Sequence, residues 1–185
     1  MNSQKDELRK RIREETKRHS IEECAEGSRR VRERIRAQPV WKNATKVLLF
    51  VPTSHEPDIW RLAQDVKQVS LPAFNEKLGR YEARRIQGEE DLVVGQFGIR
   101  EPKSACSLTD LNSLDLVLAP GLAFALDGSR LGRGKGYYDR LLEKLRGTKI
   151  GVCFEWQLQP QIPCDGHDVA MNYIATPDRW LSVGA

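Results

Sequence analysis

An α/β domain on a largely parallel sheet is what the sequence predicts, and three observations lead there. Short apolar runs of strand length recur along the chain, helical patterns alternate with them, and no internal repeat or long linker divides the 185 residues. One domain is therefore expected over residues 1–185, with a helical pair over 1–38 packed on the α/β body.

The first helix is read from Leu8 and Ile12, one turn apart in a charged segment. A second opens at Ser20-Ile21-Glu22-Glu23, an S-x-x-E capping box in which Ser20 and Glu23 satisfy backbone donors left open at a helix start. Ile21, Cys24, Val31 and Ile35 carry it on at helical spacing, and Pro39 ends it. Residues 46–51 form an apolar run closed by Pro52, the pattern of a buried strand. Ile59, Leu62 and Val66 predict a helix, and residues 69–74 and 81–86 predict strands. Another strand is expected over 114–119, ended by Pro120-Gly121. A helix over 137–146 follows, stopped by Gly147, and strands over 149–154 and 170–175 complete the series.

With 39% apolar and 30% charged residues the composition is that of a soluble globular protein. No run of about 18 apolar residues exists, so no membrane span is expected. The first residues are charged and lack the apolar stretch of a secretory signal, which makes a cytoplasmic location the expectation. Cys24, Cys106, Cys153 and Cys164 include no C-x-x-C pair, and His19, His55 and His167 form no H-E-x-x-H, which argues against a zinc site or a disulfide framework.

The net charge of +4 resides in residues 1–36, which hold 12 Lys and Arg against 8 Asp and Glu, while the rest of the chain holds 18 of each. Acids interleave with these cations, as at Asp6-Glu7 and Glu14-Glu15, a pattern of solvated helices rather than of a nucleic-acid surface. A few of the cations remain available to face nucleotide phosphates.

Chemistry concentrates in residues 120–140, between a buried strand and a helix, where α/β proteins place ligands. Gly132, Gly134 and Gly136 alternate with Arg133 and Lys135 just before the helix. Glycines let backbone N–H groups approach an anion, the helix start adds partial positive charge, and two cations complete a phosphate cradle. The spacing is neither G-x-x-x-x-G-K-[ST] nor G-x-G-x-x-G, which excludes the two commonest phosphate loops. Tyr137, Tyr138 and Asp139 follow at once, aromatics able to flank a planar ligand and a carboxylate able to hold a hard cation.

The run Arg130-Leu131-Gly132-Arg133-Gly134-Lys135-Gly136-Tyr137-Tyr138-Asp139, preceded by Pro120-Gly121-Leu122-Ala123-Phe124, resembles the signature of 5-formyltetrahydrofolate cyclo-ligases. Further matches extend the resemblance over nearly the whole chain: Lys5 and Arg9 in a basic first helix, Phe50 to Asp58 as a strand and acidic loop, Gly98-Ile99-Arg100-Glu101-Pro102, and His167-Asp168. The resemblance implies a three-layer α/β/α architecture. It also implies an enzyme that uses ATP and Mg2+ to convert 5-formyltetrahydrofolate to 5,10-methenyltetrahydrofolate, through a phosphorylated formyl group.

By the same resemblance, Lys5 and Arg9 contact ATP phosphates together with Arg130, Leu131, Gly132, Arg133, Gly134, Lys135, Gly136, Tyr137 and Tyr138. Within that loop Arg133 through Tyr137 also touch the folate, and Arg133 and Lys135 are the expected catalytic charges. Thr53, Asp58 and Phe97 are implied as pterin contacts, and Asp139 and Asp168 as magnesium ligands. Small molecules are the expected partners, with no nucleic acid and no membrane, and a monomer is expected. The sequence departs from the family at Asp58, where Glu is frequent, and at Ala125 and Asn172, where acids are frequent. Two rival readings are another ATP- or phosphate-sugar enzyme on a related α/β scaffold and a non-catalytic binder, for instance of nucleic acid. Folate protection would separate the first, and steeply salt-dependent RNA or DNA binding the second.

Overall fold

The computed structural model of the protein describes residues 2–95, 97–166 and 168–184. His167, half of the H-D match, lies outside the described residues. Helix α1 spans Asn2–Thr16 and α2 spans Ile21–Ala37, with α3, a single turn, at Pro39–Lys42. The capping box forms as the sequence predicts, with the Glu23 N–H donating to Ser20 and the Ser20 N–H donating to the Glu23 carboxylate. The apolar stripe on α2 is narrower than its sequence pattern: Val31 and Ile35 are buried, while Ile21 at the first turn is exposed. Gly27, Ser28 and Arg32 complete the inward face.

Seven strands form the central sheet: β1 (Lys46–Leu48), β2 (Gln68–Asn75), β3 (Arg80–Ile86), β6 (Leu116–Pro120), β9 (Thr148–Val152), β11 (Tyr173–Ala175) and β12 (Trp180–Ser182). Their spatial order is β12-β11-β9-β6-β1-β2-β3. The five central strands run parallel, and β3 and β12 close the two edges antiparallel. Side chains alternate across the sheet as the pleat requires. Leu116 and Leu118 join Val47, Leu49, Ile150, Val152 and the buried face of α2 in one cluster. Val117 and Ala119 join Leu48 and the apolar face of α4 (Tyr137–Leu142) in a second. Helices therefore cover both faces of a mostly parallel sheet, as an α/β fold requires.

Two short sheets lie outside the main one. β4 (Leu92–Val94) pairs with β5 (Arg100–Pro102), and β7 (Ala123–Ala125) pairs with β8 (Arg130–Leu131) and β10 (Leu158–Gln159). Helix α1 docks on this last sheet through Leu8 and Ile12, against Leu122, Ala123, Leu131 and Ile162. Burial of that patch is what brings the basic helix to the glycine-rich segment.

Several predicted elements are shorter than expected. The helix over Ile59–Val66 is a 3-10 turn, Trp60–Asp65, although Ile59 and Leu62 are fully buried. The strand over 46–51 is shorter, Lys46–Leu48, with one further bond from the Leu49 N–H to the Ser70 carbonyl at 2.9 Å before the chain leaves for the cavity. Helix α4 ends at Leu142 rather than 146. Among the described residues, no helix is long and apolar enough to cross a membrane.

Candidate functional site

The sheet's direction of winding reverses at β1: the chain moves outward through β2 and β3, then returns to place β6 on the other side of β1. Such a switch point opens a crevice at the carboxyl ends of the strands, because the flanking connections leave on opposite sides. A cavity of about 440 Å3 lies there, lined by Phe50, Val51 and Thr53 after β1 and by Pro120 and Gly121 at the end of β6. The glycine-rich segment supplies another wall with Arg130, Gly132, Arg133, Lys135, Gly136, Tyr137, Tyr138 and Asp139. Residues 97–101, from the β4–β5 hairpin, supply a third.

The loop conformation depends on two glycines. Gly134 has φ +101° and Gly136 has φ +64°, backbone that side-chain-bearing residues rarely adopt. A Cβ on Gly134 would lie 3.5 Å from the Arg9 guanidinium, so the first helix crosses close over the turn. Arg9 donates through Nε to the Gly132 carbonyl at 3.0 Å and pairs with Asp6 at 2.6 Å. Lys5 is placed differently. Its ammonium is buried between Asp165 at 2.7 Å and Asp168 at 2.6 Å, away from the cavity lining. Burial opposes its charge, but hydrogen bonds to Asp165 and Asp168 outweigh that and raise its pKa above the usual lysine value.

Within the segment, Arg130 is buried, donating to the Pro120 carbonyl at 3.1 Å and pairing with Asp139 at 2.6 Å. Its guanidinium also lies 5.6 Å from the centre of the Tyr138 ring. Leu131 is a core residue and offers only its backbone. Lys135 is exposed on the cavity wall. Arg133 reaches across the crevice, its Nη2 donating to Thr53 Oγ1 and to Glu56 Oε1, each at 2.9 Å. The other Glu56 oxygen accepts from the Thr53 N–H at 2.9 Å and hydroxyl at 3.0 Å.

Glu56, which the sequence reading does not name, lines the cavity. The resemblance points instead to Asp58, whose carboxylate is half exposed and accepts from the Trp60 N–H at 2.9 Å, outside the cavity lining. The Asp58 backbone is pinned to α2 instead, its N–H donating to Ser28 Oγ at 2.9 Å and its carbonyl accepting from Arg32. Pro57 separates the two acids, and the turn directs only the earlier one inward. The available signal was the two-residue offset between Glu56 and Asp58 beside Thr53. Of the other two departures, Ala125 is buried in β7, and Asn172 accepts from the Lys149 N–H at 2.8 Å, a structural role.

Aromatic rings line the side of the cavity facing the β4–β5 hairpin. Tyr137 lies 4.9 Å from Phe74 and 5.9 Å from Tyr81, and Phe97 packs edge-on against Phe74 at 5.2 Å. Phe97 keeps 43% of its surface exposed, so a face remains open to a planar ligand. Burial pushes the Tyr81 phenol up to about 12 and that of Tyr138 well above its ordinary value, so both hydroxyls are neutral donors at physiological pH. Asp139 lies on the cavity wall, paired with Arg130, and Asp168 lies beside Lys5. No cluster of three or more His, Cys, Asp or Glu able to hold a metal occurs among the described residues. Two separate carboxylates suit magnesium only where phosphate oxygens complete its shell.

The chain matches the model of the 5-formyltetrahydrofolate cyclo-ligase family over residues 1–177. The 5-formyltetrahydrofolate cyclo-ligase of Mus musculus is 26% identical over 194 residues, covering 96% of each chain. That of Escherichia coli K12 is 30% identical over 129 residues, 67% of this chain and 71% of the relative. The solved structure of Aquifex aeolicus 5,10-methenyltetrahydrofolate synthetase superimposes with a TM-score of 0.88 at 32% identity, covering 98% of this chain and 93% of that one. On the match that spans nearly its whole length, this chain belongs to the 5-formyltetrahydrofolate cyclo-ligase family.

Proposed function

We propose that the protein closes the ring of 5-formyltetrahydrofolate to give 5,10-methenyltetrahydrofolate, with ATP converted to ADP and phosphate. The observation that carries this reading is a cavity with two chemically different walls. One holds Arg133 and Lys135 on the glycine turn, and the other holds Phe97 and Tyr81, with Tyr137, next after the turn, packed against Tyr81 at 5.9 Å. A triphosphate suits the first and a planar pteridine the second.

In this scheme the formyl oxygen attacks the γ-phosphorus and ADP leaves. The neighbouring folate amine nitrogen then attacks the formyl carbon, the C–O bond breaks, phosphate departs, and the amine proton is lost to solvent. Phosphoryl transfer of this kind depends on positioning and charge neutralisation rather than on covalent catalysis. Arg133 and Lys135 are the charges assigned to the transferred phosphoryl group. Arg9, over Gly132 and Gly134, takes the outer phosphates. Lys5 joins them only by leaving Asp165 and Asp168. Thr53, Glu56 and Phe97 are assigned to the pterin, with Glu56 in the role first expected of Asp58. Magnesium would be held by Asp139 and Asp168 with the nucleotide phosphates, and when bound it supplies neutralisation of phosphate charge.

Absorbance in the methenyl-folate band, followed after mixing protein, 5-formyltetrahydrofolate, Mg2+ and ATP, tests the proposal. A rise that requires ATP and Mg2+ and is lost in Arg133→Ala is expected. No rise while ATP still binds would assign the loop to other nucleotide chemistry.

A further inference from the structure

Buried polar atoms without a partner concentrate at this cavity. Of the five such side-chain atoms among the described residues, three belong to residues that line it: Glu101 Oε1, Arg130 Nε and Tyr138 Oη. Arg130 and Tyr138 lie in the glycine-rich segment already assigned. Glu101 does not.

Glu101 sits on β5, and only 7% of its surface is exposed. One carboxylate oxygen accepts from the Phe74 N–H at 2.9 Å, fixing the side chain against β2. The other, Oε1, has no hydrogen-bond partner among the described residues. Space for the carboxyl exists because residue 95 is glycine: a Cβ there would come within 2.6 Å of the Glu101 carboxyl carbon. Burial pushes the Glu101 pKa up, opposed by the single Phe74 N–H. A purely structural acceptor for one backbone N–H has no need of a second, buried and unmatched oxygen. Leaving such an oxygen unpaired costs folded stability, and a donor brought by a ligand removes that cost.

We propose that Glu101 Oε1 accepts a hydrogen bond from a ring N–H of the bound reduced pteridine, and so positions the folate and selects for a ring carrying a donor at that edge. Tyr137 and Phe97, backed by Phe74, hold the plane of the ring, and Glu101 in the same cavity lining reads its edge. The assignment rests on the folate reading above.

Glu101→Gln is the informative variant, since its carbonyl still accepts from the Phe74 N–H while an amide replaces the free acceptor. Dissociation constants for 5-formyltetrahydrofolate and for ATP are measured by calorimetry on the full chain. Folate affinity is expected to fall roughly 10- to 100-fold, the range for losing a hydrogen bond to a charged group, with ATP affinity unchanged. Gly95→Ala, which displaces the carboxyl without removing it, is expected to weaken folate binding in the same selective way. Wild-type folate affinity in both variants would overturn the Glu101 assignment alone. Failure of the wild-type protein to bind 5-formyltetrahydrofolate would overturn the folate reading and this assignment with it.

Discussion

Arg133 and Glu56 face each other across the crevice, Nη2 to Oε1 at 2.9 Å, one from the glycine turn and one from the loop after β1. The pair joins the two sides of the switch point. Glu56 is nearly buried at 8% side-chain exposure, while Arg133 is half exposed. A phosphoryl group arriving at Arg133 would compete for the guanidinium, leaving Glu56 to a donor on the ligand.

Glu56→Gln should therefore act on the folate step. The expected result is a 10- to 100-fold loss in kcat/KM for 5-formyltetrahydrofolate, the effect of losing a charge-assisted hydrogen bond. Asp58→Asn should change it by no more than about twofold, as at an exposed position whose amide can still accept from the Trp60 N–H. Steady-state kinetics on the two variants decides between them, and a reversed order would return the pterin contact to Asp58.

Gly134→Ala places a Cβ at φ +101°, beside the Arg9 guanidinium. Backbone strain of ~1–3 kcal/mol is expected, within what a domain of this size tolerates. The turn should relax away from its present shape, taking Arg9 with it. ATP affinity should then fall more than folate affinity, with the circular dichroism spectrum unchanged. Equal losses for both ligands would mean that the turn does not serve the phosphates separately.

The parallel core was legible because residues 114–119 and 149–154 are near-continuous apolar runs, as strands buried on both faces must be. The glycine turn was legible for a related reason, since alternation of Gly with Arg and Lys has few structural uses. Other features depend on tertiary contacts that no local pattern encodes. The 3-10 turn at Trp60–Asp65 has helical apolar spacing, yet Asp58 is tied to Ser28 and Arg32 on α2, and residues 59–67 must span from there to β2. Strand β8 is two residues long and contains Arg130, whose buried partner Asp139 lies nine positions on. Lys5 is a phosphate contact by the family resemblance alone, and its pairing with Asp165 and Asp168, 160 and 163 positions away, is likewise beyond any local pattern.

Removing one half of the Arg130–Asp139 pair should be costly. Their side chains are 3% and 14% exposed, so Arg130→Ala leaves a carboxylate deprived of its main countercharge. Breaking a buried pair costs about 3–5 kcal/mol, against near neutrality when both members become apolar. Thermal melts of Arg130→Met, Asp139→Leu and the double variant should show two large losses and a partial recovery. An additive double variant would show that the pair has no coupling worth the name.

Glu101 gives a pH-dependent expectation with a definite sign. Burial raises its pKa in the folded protein, so between the unfolded carboxylate value near 4.3 and the higher folded value the native state holds more protons than the unfolded chain. Stability contributed by this group therefore falls as pH rises through that window and then stays level. Glutamine cannot ionise, so Glu101→Gln escapes the loss. An unpaired neutral amide is also less costly to bury than an unpaired carboxylate. The ligand-free variant should melt above the wild type at pH 7.5, with the difference shrinking toward zero near pH 4. A residue whose replacement stabilises the empty protein while weakening its hold on folate is retained for binding rather than for folding. A variant that melts below the wild type at both pH values would instead make the carboxylate a structural partner of the Phe74 N–H.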